Sequence, residues 1–222
     1  MNNLYLLVTW PRVICREFKV RTDSILAGEQ LVNDAIGARL AAIDAQLRRD
    51  LSELNSDNAF TRTQLHNDQV QVQEELPQVF RSALFMQIYA LFEKMLGMFS
   101  NHFEETIPTG IKEKDLQGSG IVRSQKFLKA VCGLPFPDQN PAWGTMRMLG
   151  KLRNAYAHRR GMLGPEPEHQ VVRQFAKSHS QLIAIHGDEV SLKSGFLPYV
   201  VAEMREVGER FVAELHKSLI DV

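Results

Sequence analysis

Between Gln78 and Phe103 the apolar residues Val79, Phe80, Ala83, Leu84, Ile88, Leu91, Phe92, Met95 and Phe99 recur in steps dominated by three and four. That period gathers side chains on one side of an α-helix, whereas a strand would alternate every second residue. A stripe this wide and this rich in Phe and Leu must be covered by other elements. The segment therefore predicts the central helix of a helical core.

The same period runs from Asp23 to Leu54, through Ile25, Leu26, Ala35, Ile36, Leu40, Ile43, Leu47, Leu51 and Leu54. It predicts a long amphipathic helix. Turn-prone NSDN follows at 55 to 58, and then a polar, helix-compatible stretch leads to Pro77, where a new helix begins or the old one kinks. Residues 23 to 75 thus read as a long helical pair that can project from the bundle. LYLLVTW at 4 to 10 is short, lacks a basic segment before it and runs into Pro11 and Arg12. Residues 1 to 22 are expected to form an N-terminal arm or a short strand, neither signal peptide nor membrane span.

Later segments follow the same logic. Pro108 to Gly120 is a loop, and Ser119 or Ser124 is placed to cap a short helix reaching Gly133. Asn140 before Pro141 reads as an N-cap with proline in the first helical position, opening a helix that ends near Arg160 and Gly161. GPEPE is a loop, and QLIAIHGDEVSLK predicts a hairpin turning at Gly187 and Asp188. FLPYVVAEMREVGERFVAELHKSL closes the pattern as an amphipathic helix. The expected fold class is mainly α, a bundle with a long N-terminal helical pair and one small β-hairpin before the last helix. Residues 23 to 222 form a single helical domain, of which 76 to 218 are the core.

Composition narrows function. Lys plus Arg and Asp plus Glu number 26 each in 222 residues, so the whole molecule offers a polyanion no long-range attraction. Cys15 and Cys132 have no metal-ligand or CxxC spacing, which points to a reducing compartment and a cytoplasmic location. The histidines show no HExxH-type spacing, and there is neither a P-loop nor a dinucleotide fingerprint. No metal and no cofactor are expected.

Against this neutral background, KLRNAYAHRRG at 151 to 161 stands out. At about 100° per residue, Arg147, Lys151, Asn154 and His158 share one stripe beside Arg153, while Leu149, Leu152 and Tyr156 gather on the opposite side. Ala157 is small enough to let another surface approach. No acidic residue occurs between Asp138 and Glu166. Arg159, Arg160 and His158 also suit a helix C-terminus as cations.

The heptapeptide LRNAYAH resembles the R-N-x-x-x-H form of the motif carried near the end of a late helix by the HEPN superfamily of helical domains. A looser similarity covers SALFMQIYALFEKML, GSGIVRSQKFL, and the hairpin with its terminal helix, or about residues 75 to 218 in all. Many HEPN domains resemble metal-independent endoribonucleases of toxin or phage-defence type that work as homodimers, with two Arg-His pairs facing one cleft. The resemblance implies catalytic roles for Arg153, Asn154 and His158, with Arg147, Lys151, Arg159 and Arg160 as substrate-binding candidates. It also implies RNA as substrate and an antitoxin or nucleotidyltransferase as a possible partner; no membrane is involved. The alternative is a non-catalytic HEPN-like dimer that binds a nucleotide, RNA or a protein. Glu93, in FEKML, can pair with Arg153 or face solvent.

Overall fold

A computed structural model describes residues 2–53, 56–118 and 120–220. It is mainly helical. The order is α1 (Asn2–Glu53), α2 (Ser56–Thr106), a 3₁₀ turn at Glu113–Asp115, α3 (Gly120–Lys126) continued by a π-helical turn at Phe127–Val131, α4 (Pro141–Arg159), α5 (Pro167–Ser178), β1 (Ile183–His186), β2 (Glu189–Leu192) and α6 (Phe196–Ile220). The strands pair antiparallel from Ile183 with Leu192 to His186 with Glu189, leaving Gly187 and Asp188 as a two-residue turn. Gly187 takes φ 62°, as such a turn requires.

The core is aromatic and sits between α2, α4 and α6. Phe85, Phe92, Phe99 and Phe103 of α2 are fully buried with Phe196 and Phe211 of α6 and Phe127 of the π-turn. Phe99 stacks on Phe211 with centroids 5.0 Å apart, and Phe85 meets Phe196 edge-on at 5.3 Å. From α1, Ile14 and Phe18 join this core. Farther out the pair α1–α2 leaves it: among the described side chains between 30 and 76, Ile43 alone is buried.

A polar hub ties the base of that pair to the hairpin. Arg81 donates through Nε to Glu29 Oε1 at 2.9 Å and through Nη1 to the Leu192 carbonyl at 2.6 Å, and both charged side chains are less than a tenth exposed. Next to it, Gln78 accepts from Leu192 N at 2.8 Å and donates to Tyr156 Oη and the Val190 carbonyl at 3.2 Å.

Several expectations need correction. Residues 2 to 22 are neither arm nor strand, because α1 begins at Asn2 and runs through Pro11 without a break; apolar burial of Ile14 and Phe18 against the bundle outweighs the hydrogen bond a proline forfeits. Pro77 likewise starts no helix, since α2 continues through it. Ser124 lies inside α3 rather than at its cap and donates to Glu113 Oε1 at 2.7 Å, whereas Ser119 lies outside the described residues. Helix α5 was not foreseen. Its sequence PEHQVVRQFAKS is short and polar overall, yet it buries His169, Val172 and Ala176 on one side. No helix among the described residues is long and apolar enough to cross a membrane.

Candidate active site

Helix α4 carries the site because its start and stop are both fixed. Asn140 accepts from Ala142 N at 2.8 Å, and Pro141 occupies the first turn. At the other end Arg160 itself takes the left-handed conformation, φ 55°, and Gly161 follows at φ 86°. Both backbone N–H groups donate to the Ala155 carbonyl. The buried residues Met146, Met148, Leu149, Leu152 and Ala155 hold one side of the helix in the core. Arg147, Asn154, Ala157 and His158 are exposed on the other, and Lys151 is partly covered.

Arg153 lies at the border of the two faces and points to α2. Its Nη2 donates to Glu93 Oε1 at 2.5 Å, and its guanidinium carbon lies 5.2 Å from the Tyr89 ring centroid. Two glycines make the space. A Cβ on Gly150 would sit 2.6 Å from Tyr89 Oη, and one on Gly120 would sit 2.5 Å from Glu93 Oε1. The Tyr89 hydroxyl is kept protonated well above its ordinary range, first by burial and then by the Glu93 charge, with Arg153 opposing. Tyr89 therefore serves as a neutral platform under a cation.

Arg153 and His158 do not meet within one chain. Five residues along a helix place them about 140° apart with a rise of about 7.5 Å, and no hydrogen bond or ion pair joins them among the described residues. His158 and Asn154 face solvent, one turn apart, and neither is tied to another described side chain. Of the four substrate-binding candidates, Arg147 and Lys151 lie on the same side as His158. Arg159 is committed elsewhere: Nη2 and Nη1 hold Glu166 at 2.6 and 3.3 Å. That bond keeps the Glu166 carboxyl below the usual carboxylate range.

The loop after α4 is held in place as well. Buried His169 accepts the Gly164 N–H at Nδ1, 2.7 Å, so its ring proton is on Nε2. Glu166 Oε2 lies 3.0 Å from the same ring nitrogen. Tyr156 donates to the Val190 carbonyl at 2.9 Å, which pins the end of α4 to β2.

Sequence reasoning left Glu93 open between pairing with Arg153 and facing solvent, and the structure shows the pair; it gave no role to Tyr89, Gly150 or Glu166. A usable signal was present: Tyr89 and Glu93 are four apart on α2, and Gly150 and Arg153 three apart on α4, so each pair shares a helix face. Among the described residues, no three His, Cys, Asp or Glu side chains converge as metal ligands would. The chain matches no family model, no curated protein and no solved structure.

Proposed function

We propose that the protein is a metal-independent endoribonuclease whose site is the exposed face of α4, completed by the same face of a second copy. The observation that carries this reading is the division of labour on one helix: Arg153 is held by Glu93 and Tyr89, while His158 and Asn154 are uncommitted and exposed on its outer face. The likeness of LRNAYAH to the HEPN motif supports it, and a toxin or phage-defence role follows from that likeness.

The chemistry needs only these side chains. Neutral His158 takes the proton of a ribose 2′-OH, the 2′-oxygen attacks the adjacent phosphorus, and the P–O5′ bond breaks. The protonated imidazole of either copy returns a proton to the leaving 5′-oxygen. One product ends in a 2′,3′-cyclic phosphate and the other in a 5′-hydroxyl. Arg153 stabilises the charge on the equatorial phosphorane oxygens through its planar fork, and Asn154 bonds a phosphate oxygen. Because Arg153 and His158 diverge within one chain, the arginine of one copy is expected to serve the histidine of the other.

Incubation with single-stranded RNA in excess chelator tests this. Cleavage with a cyclic-phosphate end is expected, lowered by about 10²–10⁴ in His158→Ala and severely in Arg153→Lys, which keeps charge but loses the fork. Cleavage that persists in His158→Ala, or that requires magnesium, overturns the mechanism.

One observation favours a second reading. Glu93 cancels the Arg153 charge, which suits a site that binds RNA or a nucleotide without cleaving it. RNA binding that is lost in Arg147→Gln/Lys151→Gln, with no cleavage in any condition, selects that alternative.

A further inference from the structure

The two edges of the hairpin are treated differently. On β2, Val190 N–H donates to the Gly161 carbonyl at 3.1 Å and Leu192 N–H to Gln78 Oε1 at 2.8 Å. Tyr156 and Arg81 donate to the carbonyls of the same two residues, so that edge is closed. Val190 and Leu192 thus turn their backbone groups away from β1. In an antiparallel ladder the residues facing them, Ile185 and Ile183, turn theirs away from β2. The Ile183 N–H is taken by the His179 carbonyl at the end of α5. Two residues along, the N–H and C=O of Ile185 have no bonding partner among the described residues, and Ile185 is only partly buried. An unpaired strand edge is a template for another extended chain.

The space beside this edge can receive one. A groove of about 400 Å³ lies between β1 and α5, with apolar walls from Ala176, Ile183, Ala184 and Ile185. Its charged lining is Arg173, Lys177 and Lys193, with no carboxylate. Among the described residues Lys177 has no acidic partner, and Lys193 Nζ donates only to the Ser180 carbonyl at 2.8 Å. Arg173 alone is matched, by Asp188 of the turn at 2.5 Å. Asp188 is 60% exposed, so solvent weakens that pair and another carboxylate can replace it.

These charges select the occupant. A second copy pairing edge to edge would set Lys177 and Lys193 against their own counterparts, which is the repulsion that keeps strand edges apart. An RNA phosphate would use the cations but leave the Ile185 carbonyl and the apolar walls unserved. An extended acidic peptide serves all three. We propose that the groove between α5 and the free edge of β1 binds an extended acidic segment of a partner protein, which adds a third strand to the hairpin. Its backbone bonds to Ile185, alternate apolar side chains rest on the walls, and acidic side chains between them meet Lys177 and Lys193. This surface is independent of the ribonuclease reading, since no residue of α4 lines it.

Titration of the isotope-labelled full chain with an acetylated, amidated Glu-Val-Glu-Val-Glu peptide, followed by backbone amide spectra at low salt, tests it. A saturable shift of the Ile185 amide is expected. Affinity should fall about ten-fold in Lys177→Glu/Lys193→Glu, both of which are exposed, and the same peptide methylated at every backbone nitrogen should not bind. His158→Ala should bind the peptide as the wild type does, so this contact and RNA cleavage are read separately. No binding of the Glu-Val peptide, or equal binding after methylation, overturns the proposal. It is also overturned if a Lys-Val-Lys-Val-Lys peptide binds as well, or if oligouridylate shifts the Lys177 and Lys193 amides while the acidic peptide leaves Ile185 unmoved, in which case the cations serve RNA.

Discussion

Arg153 and Glu93 face each other across α4 and α2 with Nη2 and Oε1 2.5 Å apart, each side chain about a quarter exposed. Solvent reaches this pair, so its contribution to stability is about 1 kcal/mol or less. Its electrostatic effect is larger, because it decides whether Arg153 presents a charge to an anion. Glu93→Gln is expected to leave the melting temperature within a few degrees and to tighten single-stranded RNA binding at low salt by about five-fold, the equivalent of about 1 kcal/mol. Titration at two salt concentrations checks it, and unchanged affinity would place the RNA away from Arg153.

Arg147 and Lys151 share the face of His158, whereas Arg159 is engaged with Glu166 and Arg160 forms the helix stop. Arg147→Gln/Lys151→Gln should therefore lower RNA affinity and flatten its salt dependence by roughly one to two phosphate contacts, with no change in melting temperature. Arg159→Gln/Arg160→Gln should lower the melting temperature and spare most of the RNA binding. Measuring both quantities for both double variants separates the roles.

A Cβ on Gly150 of α4 would lie 2.6 Å from the Tyr89 hydroxyl. Gly150→Ala would force the phenol aside, at a cost of about 1–3 kcal/mol, read by denaturant titration. Removing the hydroxyl in the same chain, Tyr89→Phe, should recover part of that loss. A Gly150→Ala variant as stable as wild type would show that the two helices adjust freely.

Stability should decline in alkali. Burial first, then the Glu209 charge, pushes the Cys15 thiol up from its ordinary 9.0 to about 12. Burial and Glu104 push Cys132 to about 11. Tyr89 and Tyr156 are raised too, mainly by burial. A raised acid holds its proton longer in the folded chain than in the unfolded one, so its contribution is complete below the unfolded value and is lost as pH rises through the folded one. Melting temperature should therefore fall steadily from about pH 9 upward, and Cys15→Ala should soften that slope.

The helical class, the hairpin with its turn at Gly187–Asp188 and the Asn140–Pro141 start of α4 were legible in the sequence because each rests on local chemistry: period, turn residues and a cap. The first 22 residues were not, since Pro11 and a short apolar run mimic an arm when the burial of Ile14 and Phe18 is out of sight. Helix α5 escaped because its sequence is short and polar overall and only three of its side chains are buried. At the site, the exposed face of Asn154 and His158 followed from helical spacing alone. The Glu93 partnership did not, because it joins residues 60 positions apart through a gap left by two glycines, and spacing along one helix carries no record of its neighbour.

The hub of Glu29, Arg81 and the Leu192 carbonyl bears on time rather than on position. Its bonds close spans of 52 and 111 residues, and contacts that distant wait until the intervening loops have closed. They are thus expected to form after the helices they join, on the native side of the folding barrier. Interactions made there leave the folding rate nearly unchanged and slow escape from the native state. An Arg81→Met/Glu29→Leu chain should accordingly refold at close to the original rate and unfold faster, with the change confined to the unfolding arm of its denaturant kinetics.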